Sequence, residues 1–206
     1  MTVHAIIKLG LIGLLLSGCA AHSTIAPTVL KKGESTKMVT LSAETVAPVI
    51  TWRWGVTENS DFGFHVGFPV YGTGLDYSVA LTRGEHGGGD IFNVGAFLMP
   101  NANIDVTYYK VGTWYSKKKN AVLMNPYYGW RFMIIPRGLN GNSSARFGFL
   151  FGLAFPKHFG LELGYFHDFI DGNYWYKHTI IPSEKNPLTG VSLRFSFYGD
   201  IHLATP

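Results

Sequence analysis

Charged and titratable side chains recur at alternate positions within segments that are otherwise apolar. Because the side chains of a β-strand alternate between its two faces, residues at this spacing share one face. Charges enclosed in a closed structure must pair, so we predict a structural ionic cluster, with a selectivity or ligand-binding role as the alternative. The residues of this predicted cluster are Arg53, Asp76, Arg131, Arg146, Glu162 and Arg194, and His65 and Asp105 occupy equivalent positions.

The pair His167-Asp168 comes nearest to an acid–base arrangement, and a further histidine, His178, follows it. A histidine beside a carboxylate can act as a general base when a substrate proton lies within reach. Tyr165 and Trp175 flank the pair, however, and such aromatic residues are typical of a membrane interface, where His167 needs no catalytic role. The sequence has no metal-ligand motif, phosphate loop or nucleophile elbow, so we predict no cofactor, no metal and no catalytic residue.

The elements that position these residues are strands with a period of two. Residues 50–82 contain three of them, separated by the turns at 57–61 and 72–74. One face of each strand is aromatic or aliphatic, and the other carries Gly, Ser, Ala and Thr with an occasional charge. A soluble sheet usually carries Lys and Glu on its second face, whereas a crowded polar interior suits small residues and paired charges. The pattern therefore predicts that the apolar face is turned outward into lipid.

The same alternation continues to residue 197 and gives about ten strands, with eight as an alternative if the first hairpin packs elsewhere. We predict an all-β fold: an antiparallel up-and-down transmembrane β-barrel. Even-numbered connections are then expected at the same end as the N-terminus, and the longer loops at 136–144 and 170–187 at the opposite end. A soluble barrel of lipocalin type, apolar inside, is the alternative, but most lysines fall in turns and in the N-terminal segment.

Composition supports one membrane-associated domain. The chain has 206 residues, of which 15% are charged and 25 are glycine. Soluble domains average roughly 25% charged residues. The formal net charge of +4 is small and scattered, which does not favour nucleic acid as a partner. Seven aromatic residues are expected in an interfacial girdle: Tyr108, Tyr109, Trp114, Tyr115, Tyr127, Tyr128 and Trp130.

The N-terminus reads as a secretory leader. Lys8 precedes an apolar stretch that is too short to span a membrane as a helix. Leu16-Ser17-Gly18-Cys19 resembles the lipobox of bacterial lipoproteins. The resemblance implies cleavage before Cys19, diacylation of its thiol and, with Ala20 following, export to the outer membrane of a diderm bacterium. The predicted parts are a signal peptide at 1–18, a lipidated irregular tether at 19–37 and a barrel at 38–206.

A local sequence pattern within the predicted strands also indicates a membrane barrel. Arg53-Trp54-Gly55-Val56-Thr57 followed by Asp61-Phe62-Gly63 resembles a strand-turn-strand pattern common in bacterial outer-membrane barrels. We therefore expect a non-enzymatic, lipid-anchored barrel with a structural, binding or narrow-transport role. Its expected partners are outer-membrane lipid and the barrel-assembly and lipoprotein-sorting machineries, with no ligand identified. The alternatives are a barrel enzyme acting on lipid or peptide at the outer rim and a lipid-tethered soluble ligand-binding barrel.

Overall fold

The structure is a computed structural model, and it describes the strands and several of their connections. The described residues are 27–42, 48–68, 72–84, 88–98, 102–118, 120–136, 143–155, 159–169, 190–200 and 202–203. Cys19, the leader, His178 and the whole loop at 170–187 lie outside them. No helix in this part of the chain is long and apolar enough to cross a membrane.

The described residues form one antiparallel sheet that closes on itself. Its strands are β1 (Glu34–Ser42), β2 (Pro48–Thr57), β3 (Ser60–Gly67), β4 (Thr73–Ala80), β5 (Gly89–Leu98), β6 (Ala102–Val111), β7 (Trp114–Ser116), β8 (Ala121–Ile135), β9 (Ser144–Ala154), β10 (Phe159–Asp168), β11 (Gly190–Tyr198) and β12 (His202–Leu203). Each long strand pairs with the next one along the chain, and β1 pairs with β11 to close the barrel. The short β7 and β12 only extend the rim beside β8 and β1. The prediction of about ten strands is confirmed, and the eight-strand alternative is wrong because β1 and β2 are part of the wall.

The alternation places the apolar face on the outside of the barrel. Phe149 and Leu163, in the middle of β9 and β10, are 53% and 50% exposed, while Arg53 and Arg131 on the inner face are 1% and 0% exposed. A lipocalin-type barrel needs the opposite orientation, with its apolar side chains inside and its charges in water. The outward apolar and inward polar pattern predicted from the sequence is confirmed.

Charged side chains are almost excluded from the outer wall. At the outward positions of the described long strands, the charged residues are Lys37, Asp90 and Lys110, and all three lie toward the end that holds the chain termini. Lys110 pairs with Asp90 across β5 and β6, with 3.4 Å between Nζ and Oδ1. Between this end and the opposite rim the outward positions form a continuous apolar band. The strands of the wall, apart from the long β8, are 8–11 residues long, close to the roughly 9–11 that a tilted strand needs to cross a bilayer.

The interior is only partly polar. Buried charges occupy much of it, but Met133, Leu150 and Phe166 also face inward and are fully buried. They belong to an apolar cluster that includes Tyr109 and Tyr127. The expectation that these two tyrosines join the outer girdle is therefore wrong: they are inward neighbours of outward residues such as Tyr108 and Tyr128. On the outer wall Trp130 stacks with Tyr108 at a ring-centroid distance of 6.1 Å.

Three predicted boundaries differ from the structure. Strand β1 begins at Glu34 rather than residue 38, because Ser35 still pairs with Trp54 of β2. The predicted turn at 57–61 is shorter, since β3 already begins at Ser60. The loop expected to run to Ser144 ends before it, because Ser144 is the first residue of β9.

The end of the barrel that holds the chain termini also differs from expectation. The part of the predicted tether at 27–33 has no helix or strand, but it is packed against the barrel: Val29 is 7% and Leu30 2% exposed. Val29 packs in the interior cluster with Ile91 and Val111, near the ends of β5 and β6. We call residues 27–33 the N-terminal strap.

Candidate functional site: the enclosed lumen

Arg53 is the centre of the first group of ionic contacts in the lumen. Its guanidinium bridges two carboxylates, donating to Asp61 on β3 and, at 3.0 Å, to Oδ2 of Asp76 on β4. A further N–H donates to Ser78 Oγ at 2.7 Å. All of these side chains are buried, so each charge has its partner within the protein rather than in water.

Asp76 has a second set of partners. His65 Nε2 contacts Oδ1 of Asp76, and Asn93 Nδ2 donates to Oδ2. The other ring nitrogen of His65 lies 2.9 Å from Thr51 Oγ1, which fixes the orientation of the imidazole. Gly63 leaves the room for this arrangement, because a Cβ there would meet Asp76 Oδ1 at 2.1 Å. The inward glycine therefore makes space for charged neighbours.

A second group of contacts crosses the lumen through Tyr109. The Tyr109 hydroxyl accepts a hydrogen bond from Arg131 Nη2 at 3.0 Å and donates to Glu162 Oε2 at 3.1 Å. Glu162 forms an ion pair with Arg194 on the neighbouring strand β11. Because Tyr109 is on β6 and Glu162 on β10, this chain ties strands that are not adjacent in the sheet. Such ties fix the cross-section of the barrel.

A third group lies toward the end opposite the chain termini. Arg146 Nε on β9 donates to Asp168 Oδ2 on β10 at 3.0 Å, and Ser144 also contacts this carboxylate. The register places Asp168 directly opposite Arg146. All three side chains are buried. Asp168 is thus engaged in ion pairing on the inner face.

Asp105 is the buried carboxylate with the fewest partners. Asn103 Nδ2 donates to its Oδ1 at 2.6 Å, and its Oδ2 has no hydrogen-bond partner among the described residues. The buried side chains of the lumen comprise five carboxylates, on Asp61, Asp76, Asp105, Glu162 and Asp168, and four guanidiniums, on Arg53, Arg131, Arg146 and Arg194. Asp105 therefore stands out as the carboxylate for which the described structure shows no ion pair.

The structure thus places all six residues of the predicted cluster in the lumen, together with His65 and Asp105. Glu162 and Arg194 pair across the neighbouring strands β10 and β11, and the Arg53 contacts described above are with carboxylates of β3 and β4. Asp61 was missed, because in the sequence it follows the polar residues of a turn. The signal that could have found it is the alternation of Asp61 with outward Phe62.

His167 and Asp168 lie on opposite faces of β10. Consecutive strand residues face opposite sides, so Asp168 faces the lumen while His167 is on the outward face opposite Phe147. His167 is nevertheless buried and stacks edge-on against Phe169 with 4.7 Å between ring centroids. The side chains that touch Asp168 are therefore separated from His167 by the wall of the barrel.

The described lumen is closely packed along five of its strands. Thr40, Thr51, Ser78, Thr107 and Leu150, which face inward from five different strands, each have 0% exposure. A passage wide enough for a water molecule would leave accessible surface on the side chains that line it. A barrel of about eight strands is nearly filled by its own side chains, and open channels need about 16 or more. At these five positions the side chains of this ten-stranded barrel are packed together in the same way.

Within the described residues, no group of three or more histidine, cysteine or acidic side chains is arranged to hold a metal ion. The fold and the lumen together define the class: an all-β, antiparallel, closed ten-stranded barrel with a charged interior and an apolar exterior. Comparison of the chain with protein-family models, with curated proteins and with solved structures gives no match.

Proposed function

We propose that this chain is a non-enzymatic outer-membrane β-barrel, anchored additionally by lipid on Cys19, with a structural or binding role in the envelope of a diderm bacterium. The observation that carries the proposal is the orientation of the wall. Large apolar side chains face outward around the barrel, and buried, paired charges face inward. In water such a wall would expose far more contiguous apolar surface than a monomeric soluble protein carries, whereas in a bilayer that surface meets hydrocarbon.

The aromatic residues support a membrane position. Trp54 stacks on Phe62 and Trp52 on Phe64 across β2 and β3, on the outward face and toward the end with the chain termini. Lys37 pairs in register with Trp52. Aromatic rings beside a long cationic side chain are typical of the boundary between hydrocarbon and headgroups. We place the boundary of the bilayer on the terminal side at this level.

A structural or binding role is favoured over narrow transport by the filled lumen. Arg131, Tyr109 and Glu162 connect β6 and β8 with β10, which is not adjacent to either of them in the sheet. Ions or solutes would have to displace buried ion pairs to pass, and breaking such a pair is costly. The lumen charges therefore act as internal ties that hold the barrel in shape.

The competing enzyme hypothesis loses its best candidate. A rim enzyme acting on lipid or peptide would need His167 beside a carboxylate on one face of the wall. The two side chains lie on opposite faces instead, and Asp168 already pairs with Arg146. We therefore propose no catalytic residue in this chain.

Fractionation of a Cys19→Ala variant beside the wild-type chain tests the proposal. The variant cannot be acylated at this position, so retention in the membrane must come from the barrel itself. We expect both proteins to stay in the outer-membrane fraction after an alkaline carbonate wash, to need detergent for extraction and to migrate faster on gels before boiling than after. Release of the variant as a soluble folded protein would support the tethered soluble barrel and overturn the proposal.

A further inference from the structure

The N-terminal strap enters the mouth of the barrel, although its sequence suggests a solvated linker. Val29 contributes to the interior cluster with Ile91 and Val111, and Leu30 is buried beside it. The strap precedes β1, whose first residues pair with the end of β2. The strap therefore runs from the rim near β2 into the mouth, where Val29 belongs to the same cluster as residues of β5 and β6.

Specific hydrogen bonds hold the strap in this position. The Leu30 N–H donates to Asp61 Oδ2 at 2.9 Å, and that carboxylate is the one that Arg53 also binds. The Lys31 N–H donates to Glu34 Oε2 at 2.7 Å, and the Gly33 N–H donates to the Gly55 carbonyl at 3.3 Å. The strap is thus connected directly to the first ionic group of the lumen.

The barrel wall is shaped to receive the strap. A Cβ at residue 55 would lie 1.7 Å from the Lys31 carbonyl oxygen, so only glycine lets the strap cross β2 at this point. At the turn into β1, Gly33 has a φ of +79°, a left-handed conformation that glycine adopts without strain. Both ends of the crossing depend on glycine.

The strap is not needed to close the barrel. Closure comes from β1 pairing with β11, which involves residues 38–42 and 194–198. The strap adds a few hydrogen bonds and three buried apolar side chains at the mouth, those of Pro27, Val29 and Leu30. Each strand of the wall, in contrast, pairs along most of its length. Segments with few contacts open at lower free energy than the elements of a core.

From these contacts we propose that the N-terminal strap is a displaceable plug that closes the mouth at the end with the chain termini. When it leaves, the ten-stranded wall stays closed, and the mouth residues of the cluster to which Val29 belongs, Val111 and the partly buried Ala80 among them, become accessible to solvent. Because Cys19 lies only eight residues before the strap, a pull on the chain between the two would act directly on the plug. This inference does not depend on the membrane position of the barrel.

Two substitutions within the strap test the plug without altering the wall. Leu30→Glu puts a charge at a buried position next to Asp61, whereas Thr28→Glu puts the same charge at an exposed position two residues away. Trypsin should then cut the detergent-solubilised full-length Leu30→Glu protein after Lys31 or Lys32 at least about tenfold faster than the wild type, which corresponds to 1.4 kcal/mol. Thr28→Glu should be cut like the wild type.

Access to the mouth is measured with Ala80→Cys as a reporter. Cys19 is the only cysteine of the chain, so the reporter is placed in a Cys19→Ala background. We expect a polar maleimide to label the reporter faster with Leu30→Glu than with Thr28→Glu, with heat-modifiable migration unchanged. Equal cutting or equal labelling in the two variants would overturn the proposal.

A variant on the wall provides an independent route to the same state. Gly55→Ala should expel the strap through the clash with the Lys31 carbonyl, whereas Gly112→Ala, also near the terminal end, meets its nearest neighbour at a tolerable 3.3 Å. Faster trypsin cutting in Gly55→Ala alone supports the plug. If Gly55→Ala remains folded and resists trypsin like Gly112→Ala, the strap is not a separable element and the proposal fails.

Discussion

The substitution Arg53→Met tests whether the lumen charges stabilise the barrel. The arginine is 1% exposed and binds Asp61, Asp76 and Ser78. Methionine keeps much of the volume but leaves two buried carboxylates without their guanidinium. Removing one partner of a buried ion pair typically costs about 3–5 kcal/mol. Asp76 keeps His65 and Asn93 as partners, so we expect a loss of unfolding free energy near the middle of that range, about 4 kcal/mol.

The loss can be measured by unfolding the barrel in guanidinium chloride after refolding into lipid vesicles, with tryptophan fluorescence as the signal. With a slope of roughly 2–6 kcal/mol per molar guanidinium, about 4 kcal/mol moves the midpoint down by about 0.7–2 M. The slope itself should not change, because the same surface is exposed on unfolding. The recovery of folded protein after heating should fall in parallel.

Two controls separate lost ion pairing from lost packing. Arg83→Met removes an exposed arginine whose Nε donates to Asn59 Oδ1 at 3.1 Å, and should cost at most about 1 kcal/mol. Replacing Asp61 and Asp76 by asparagine in the Arg53→Met background removes both orphaned charges and should recover at least half of the loss. If Arg53→Met costs no more than Arg83→Met, the lumen charges are not structural ties and the reasoning is refuted.

Three further predictions follow from the same structure. Asp105→Asn should change the unfolding free energy by no more than about 1 kcal/mol, because no ion pair is lost among the described contacts. If the same unfolding assay shows a loss as large as that expected for Arg53→Met, the charge of Asp105 is essential. Leu163→Arg, in the middle of the outward face, should lower the unfolding free energy in vesicles by about 2–4 kcal/mol. Phe159→Arg, at the end of the same strand, should lower it by about 0–1 kcal/mol. Equal losses in parallel unfolding titrations would argue against a lipid-facing band. His167→Ala should leave the lipid and peptide profiles of the outer membrane unchanged in mass spectrometry, and the specific loss of one turnover product would revive the enzyme hypothesis.

The alternation of side chains was sufficient to predict the wall of the barrel. A period of two, repeated over ten segments, determines which residues share a face, and the small and charged residues on one face indicate an enclosed interior. This is why Arg131, Glu162 and Arg194 could be placed in the lumen from sequence. Their mutual partners could not, because the reach of Tyr109 from β6 to Glu162 depends on the diameter and shear of the closed barrel.

The errors arose where local composition and tertiary context disagree. The strap contains Lys31, Lys32 and Gly33, which read as a solvated linker, yet the two apolar residues before them are buried in the mouth. Inward Leu150 and Phe166 stand next to outward apolar residues. The side chains there still alternate between the two faces, but they no longer alternate between polar and apolar, so the sequence does not show which of them face inward. Sequence patterns report polarity, and they mark direction only where the two faces differ in polarity.

Contact between the outward side chains and hydrocarbon is the central claim, and quenching of Trp130 by brominated lipids tests it most directly. Trp130 is on the outer wall opposite Phe149 in the middle of β9, and the other four tryptophans can be replaced by phenylalanine to leave it as the only reporter. We expect strong quenching by lipids brominated on their acyl chains and little quenching by aqueous iodide. Strong iodide quenching of a correctly folded barrel, with no effect of the brominated lipids, would contradict the membrane position of the wall.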